Sequence, residues 1–239
     1  MTEKSYVDPL LVDNLSRVQE TMQEACLSAG RSSNEVTLLA VTKTVDPIRI
    51  NAITQLGVRQ IGENRVQEFL RKRPDLNLDG VTAHLIGHLQ TNKVNQIVGN
   101  VQMIQSVDSL RVAEAVSRRS AELGIITPIL IEVNIGGEEA KSGVSPEELE
   151  PLLYEIAPLR GVSVRGLMTV PPILQTEYEK RAIFSKMYQL FVDIGDKKID
   201  NIVMQDLSMG MSDDYREAIL EGSTMVRIGS ALFGKRNYN

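Results

Sequence analysis

The chain contains no tryptophan, and aromatic residues make up only 4% of it. Stacking platforms for single-stranded nucleic acid need aromatic faces, so that class of partner is not expected. Basic arms are missing as well. The net charge is −5, and no run of five or more like charges offers a footprint for a phosphate backbone. There is one cysteine, Cys26. An internal disulfide is therefore impossible, which fits a reducing, cytoplasmic setting. Cys26 falls in an amphipathic segment and reads as a small buried hydrophobe more readily than as a nucleophile. Long apolar runs are absent too. The best, IITPILIEVNI at 125–135, is broken by Pro128 and Glu132, far short of the ~20 apolar residues that span a bilayer. The opening MTEKSYVDPLL lacks a positive-then-apolar organisation, so no signal peptide is expected.

What is present is an ordinary soluble composition, 42% hydrophobic and 24% charged over 239 residues. Leu10, Leu11, Leu15, Val18, Met22, Ala25 and Cys26 recur near a 3.6-residue period, which predicts a helix over 8–29 ended by Gly30. Short apolar strands then fall at 36–42, 58–61, 82–86, 102–106, 127–134, 162–168, 201–205 and 224–228. Helical patterns fill the gaps at 46–56, 63–73, 91–99, 109–123, 145–157, 176–194 and 212–221, and a short helix follows Gly229. Eight strand-then-helix units imply a parallel sheet. The expected fold is α/β, a single (β/α)8 TIM-type barrel with an extra N-terminal helix; an open doubly wound sheet is the alternative. No linker divides the chain. One domain over 1–239 is expected, with the helix at 1–30 and the barrel at 31–239.

In such barrels the chemistry sits at the C-terminal ends of the strands. Lys43 ends the run VTLLAVTK and shares a strand face with Leu39 and Val41. On this segment alone a lysine snorkelling to solvent is the readier reading. The other is a part-buried amine with a depressed pKa, able to attack an aldehyde. Ser212, in LSMGMSDDYREAI, precedes a helix and reads as its N-cap, or else as part of an anion site. Arg227, Gly229 and Ser230, in VRIGSALFG, would complete that anion site, since the loops after strands seven and eight commonly hold phosphate in these barrels. Charge-assisted hydrogen bonds of roughly 1.5–3 kcal/mol each would hold a dianion. Glu63, Asn64 and Arg65 read as a helix start, with Asn64 alternatively aimed at a ligand. Met168 reads as a core or pocket-wall residue, and Lys141 as a solvated loop charge. His84 and His88 are too far apart along a strand, about 13 Å, to share one metal ion, so no metal site is expected.

The strings AVTKT, GENRVQE, HLIGHLQTNKV, VNIGGEEAKSGV, GLMTVPP, LSMGMSDDYREAI and VRIGSALFG together resemble the YggS/PROSC-type pyridoxal phosphate homeostasis proteins. The resemblance runs from about Leu38 to Gly234. It implies a barrel like the N-terminal domain of alanine racemase, the type III fold of pyridoxal phosphate proteins. It also implies pyridoxal 5′-phosphate held as an imine on Lys43. Ser212, Arg227, Gly229 and Ser230 would lie on the phosphate side and Asn64 beside the ring, with Met168 also at the cofactor. Many relatives carry proline where this chain has His88. VRIGSALFG is also similar to a racemase segment whose arginine faces the pyridine nitrogen, so Arg227 has two possible stations.

The implied function is a carrier in intracellular pyridoxal phosphate homeostasis, a monomer without catalytic residues, handing the cofactor transiently to apo-enzymes. Pro47 stands where racemases carry a phosphate-binding tyrosine, and the chain ends five residues after Gly234, where a racemase would continue into a second domain. Racemisation wants acid/base groups on both faces of the substrate carbon, so negligible turnover is expected. A minimal amino-acid racemase and a Schiff-base aldolase are the enzymatic alternatives.

Overall fold

The computed structural model describes residues 8–138 and 141–234; the ends of the expected domain and part of the GGEEAKSG loop lie outside them. The elements run α1 (Pro9–Ser28), β1 (Thr37–Val41), α2 (Pro47–Gln55), β2 (Gln60–Glu63), α3 (Val66–Lys72), β3 (Thr82–Leu85), α4 (Val94–Ile97), β4 (Met103–Val107), α5 (Leu110–Glu122), β5 (Thr127–Glu132), α6 (Pro146–Ile156), β6 (Val162–Met168), α7 (Glu177–Asp196), β7 (Ile202–Ser208), α8 (Tyr215–Leu220), β8 (Met225–Ile228) and α9 (Ser230–Phe233). Each strand pairs in parallel with the next, and β8 closes on β1 through the register Leu39↔Arg227. The (β/α)8 barrel is thus the fold, and the open sheet is excluded.

Local chemistry explains the helix starts. Asp8 accepts the Leu10 N–H ahead of α1, and Asp46 does the same for Ile48 ahead of α2, each with proline in the first turn. Ser145 with Glu148 and Thr176 with Glu179 form capping boxes on α6 and α7. These bonds satisfy amides that have no partner within the helix. The buried face of α1, including Leu11, Leu15 and Val18, packs with Ala40, Val226 and Ile228 over the β8–β1 seam. Burial of such side chains stabilises by about 1.5–3 kcal/mol each. Cys26 is buried in the same layer, and that burial pushes its thiol pKa up. No helix among the described residues is long and apolar enough to cross a membrane.

The lumen is filled unevenly. Leu39, Val41, Met225 and Ile86 form a small apolar plug on the β1 side. Gly62 makes room for it: a Cβ there would collide with the Leu39 side chain and stand 3.0 Å from Ile86. A polar network of Arg227, Ser208, Gln105 and His84 adjoins the plug, with Gln105 touching Met225.

Three expected elements differ. Strand β2 runs on to Glu63, so that residue ends a strand instead of opening a helix. The 91–99 segment splits into a 3-10 turn, Thr91–Lys93, and the short α4. The 212–221 helix begins only at Tyr215, because Ser212 has other partners.

Candidate functional site

The mouth of the barrel is built first from β1. Its inward residues Leu39 and Val41 belong to the plug, and Lys43 follows two positions on, half-buried. The ladder continues only as far as Thr42, whose N–H donates to Gly62 O at 2.9 Å. The chain then turns, with Val45 N–H donating to Thr42 O at 3.0 Å and Thr44 at φ 63°. A positive φ at the third position of such a turn ordinarily calls for glycine or asparagine.

The loops after β7 and β8 meet beside this turn. Gly210, at φ 93°, bends the chain out of β7, and its carbonyl accepts Arg227 N–H at 3.0 Å. The Gly229 and Ala231 amides both donate to Ser212 Oγ, each at 3.2 Å. Ser212 therefore does not cap α8. Asp214 precedes that helix and accepts the Met211 N–H at 2.6 Å, closing the loop. Gly229 lies against Val41, where an added Cβ would stand 3.4 Å from the valine Cβ. Ser230 is exposed at the start of α9.

Arg227 is fully buried, and it turns into the lumen instead of toward Ser212. One guanidinium nitrogen donates to Ser208 O and Ser208 Oγ, both at 2.8 Å, and the other to Thr169 O at 2.7 Å. Burial pushes its pKa down to about 10, against the pull of Asp214 and Glu132, so it stays charged at neutral pH. The network continues inward. Ser208 Oγ donates to Gln105 Oε1 at 2.7 Å, and Gln105 Nε2 meets His84 Nδ1 at 2.8 Å. Gln105 has its donors on that nitrogen, so His84 accepts there and carries its proton on Nε2. That Nε2 is buried without a hydrogen-bond partner. Burial lowers the His84 pKa to about 4, and the ring is neutral at physiological pH. Thr169 and Ser208 stand where strand ends are expected to carry chemistry, whereas Gln105 was missed; the available signal for it is a polar residue on the inward face of an apolar strand.

Met168 is fully buried and in register with Glu132 on one side and Ser208 on the other, which makes it part of the wall at the network's level. Glu132 is buried, and its backbone carbonyl accepts the Val144 N–H at 2.9 Å. Burial and the neighbouring Asp108 raise its pKa to about 7, with Arg227 and His88 pulling the other way. His88 is exposed and pairs with Asp108 at 3.2 Å. Lys141 is not merely solvated: it bridges two loops, donating to Pro171 O at 2.9 Å and pairing with Glu138 at 2.7 Å.

Asn64 follows β2, next to the strand that carries Lys43. Its Oδ1 is buried and has no hydrogen-bond partner. Glu63, expected to open a helix, is instead buried and paired with Lys72 at 2.9 Å. Among the described residues no three His, Cys, Asp or Glu side chains converge as metal ligands.

Residues 14–237 match the family model for the N-terminal domain of alanine racemase. The pyridoxal phosphate homeostasis protein of Aquifex aeolicus (strain VF5) is 44% identical over 226 residues, covering 95% of this chain and 98% of that protein. The chain belongs to the pyridoxal phosphate homeostasis protein family. The Escherichia coli (strain K12) member of this homeostasis family is 38% identical, with 96% and 98% covered. Among solved structures, PipY of Synechococcus elongatus PCC7942 with PLP bound has a TM-score of 0.78 at 33% identity, covering 89% of this chain and 100% of that one. A protein of unknown function from Bifidobacterium adolescentis reaches a TM-score of 0.89 at 37% identity, with 94% and 95% covered. Alanine racemase of Clostridium difficile 630, at 17% identity and a TM-score of 0.69, shares the fold over 57% of its length.

Proposed function

We propose that this homeostasis-family barrel binds pyridoxal 5′-phosphate reversibly through Lys43, as a carrier with little or no turnover. When bound, the cofactor supplies an aldehyde that condenses with a primary amine and releases water. The observation that carries the reading is the meeting of the β8 loop with the end of β1. The Gly229 and Ala231 amides converge there on the Ser212 hydroxyl oxygen, and Gly229 lies against Val41, two residues before Lys43. Oriented amides of this kind suit a phosphate. Ser212, Gly229 and Ser230 are assigned to that end, with the Ala231 amide added to the expected set. The orphaned Asn64 Oδ1 supplies an acceptor for a ring hydroxyl or a bound water. Met168 gives an apolar wall.

Arg227 takes its station at the ring in this reading, because its hydrogen bonds tie it to the ends of β6 and β7 and not to Ser212. A guanidinium only donates. A ring nitrogen met by it would be left unprotonated, which makes a poor electron sink and supports storage over catalysis. Release to an apo-enzyme, action as a monomer and a cytoplasmic location belong to the same reading.

The test is reduction with borohydride after mixing with pyridoxal phosphate, followed by peptide mass mapping. Lys43 is expected to carry the added mass, and Lys43→Ala is expected to abolish the visible absorption band. A label on another lysine, or a band that survives, would overturn the assignment. Rapid interconversion of amino-acid enantiomers by the loaded protein would replace the carrier with a racemase.

A further inference from the structure

Beneath the turn that carries Lys43, the Glu63–Lys72 pair belongs to a larger charge cluster that has been given no role so far. Lys72, at the end of α3, is 6% exposed. Its ammonium donates to Thr42 O at 2.8 Å, to Glu63 Oε1 at 2.9 Å and to Glu68 Oε1 at 2.6 Å. Glu68 Oε1 also accepts the Thr44 N–H. Glu63 Oε1 also accepts from Thr42 Oγ1 at 2.8 Å. Thr42 O belongs to the peptide before Lys43, and the Thr44 N–H to the peptide after it. One ammonium therefore fixes both peptide groups that flank Lys43, the first directly and the second through Glu68. The Thr42 N–H to Gly62 O bond stands at the end of the β1–β2 ladder, and the cluster grips the turn just beyond it. Thr44 sits in the left-handed region, a conformation that costs about 1–2 kcal/mol outside glycine and persists only where neighbouring contacts enforce it. Burying one cation with two carboxylates is also unfavourable in itself, and an apolar contact would pack α3 on β1 as well.

We propose that Lys72, acting with Glu63 and Glu68, is the positioning group that aims Lys43 at the aldehyde. This rests on the assignment of Lys43 above. Lys72 does not touch the ligand. It fixes the backbone on either side of the reacting lysine, so its loss lowers covalent capture without emptying the anion pocket.

The experiment uses two ligands, pyridoxal phosphate and pyridoxine phosphate, which keeps the ring and phosphate but has no aldehyde. In Lys72→Met, pyridoxine phosphate should bind within about threefold of the wild-type level, while the rate of borohydride-trapped labelling at Lys43 should fall by tenfold or more, given that misplacement by about 1 Å can cost 10²-fold. Lys72→Arg should restore part of that rate. Glu68→Gln, which keeps an acceptor for Thr44 N–H but weakens the ammonium contact, should give a smaller fall and keeps the test available if Lys72→Met does not fold. Wild-type trapping rates in both Lys72→Met and Glu68→Gln, or a parallel loss of both ligands in either, would overturn the positioning role alone. Failure of the wild-type protein to label at Lys43 would overturn the parent reading and this one with it.

Discussion

Two buried cations divide the barrel between them, and they are held in opposite ways. Lys72 lies outside the sheet under the β1 turn and meets two carboxylates within 2.9 Å. Arg227 lies inside the sheet and spends its hydrogen bonds on a hydroxyl and two carbonyls. The first charge is neutralised where it stands, so its field is spent on holding backbone. The second is held in place by neutral oxygens, so its field reaches the mouth, where Glu132 and Asp214 feel it. The same kind of charge serves as a fastener in one place and as a fixed electrostatic wall in the other.

The largest test of that contrast is to remove the fastener. Lys72→Met leaves the buried Glu63 and the part-buried Glu68 without this cation, and about 3–5 kcal/mol of stability should be lost at neutral pH. Part of the loss should return on acidification as the carboxyls protonate. Urea unfolding at neutral pH and near pH 4 would show it; an equal loss at both would mean the cluster is not ionic.

Glu132→Gln should act in the other direction. The Glu132 pKa rises from 4.5 to about 7 in the fold. A raised folded pKa favours the protonated native form, so the contribution is fully present below pH 4.5 and is lost as pH rises through about 7. The amide should therefore stabilise by up to about 3 kcal/mol above pH 7 and change little at pH 4. The same urea series checks it, and no gain at high pH would show that Arg227 already balances the carboxylate.

Smaller again is Gln105→Leu. It strips a partner from His84 and from Ser208, and about 1–3 kcal/mol should be lost, with weaker binding of pyridoxal phosphate as Arg227 loosens. A loss of stability with unchanged binding would confine this network to the core. Least of all, His88→Ala removes an exposed pair with Asp108, and stability should move by less than about 0.5 kcal/mol in thermal unfolding.

The barrel was legible because strand and helix periods alternate without interruption from Val36 onward. Lys43 drew notice as an ammonium at the end of VTLLAV, but that segment alone favours a lysine reaching into water, and its proposed role comes from the family resemblance. The misplacements share one cause: a polar residue at an element boundary was credited to its sequence neighbours. Glu63 reads as a helix start, yet its partner is Lys72, nine residues away. Ser212 reads as a cap, yet its hydroxyl meets amides 17 and 19 residues on. Gln105, about which the sequence raised no expectation, joins His84 to Ser208, a partner 103 positions off. Contacts at such separations leave no local period, and only the closed sheet brings them together.

Ser212 carries a last consequence. Its oxygen already occupies the spot to which the Gly229 and Ala231 amides point. An arriving anion has to compete with a resident acceptor, and a departing one leaves no stranded donors behind. Under the proposed carrier role, exchange at this seat would be a swap between near equals, which would temper affinity and ease departure.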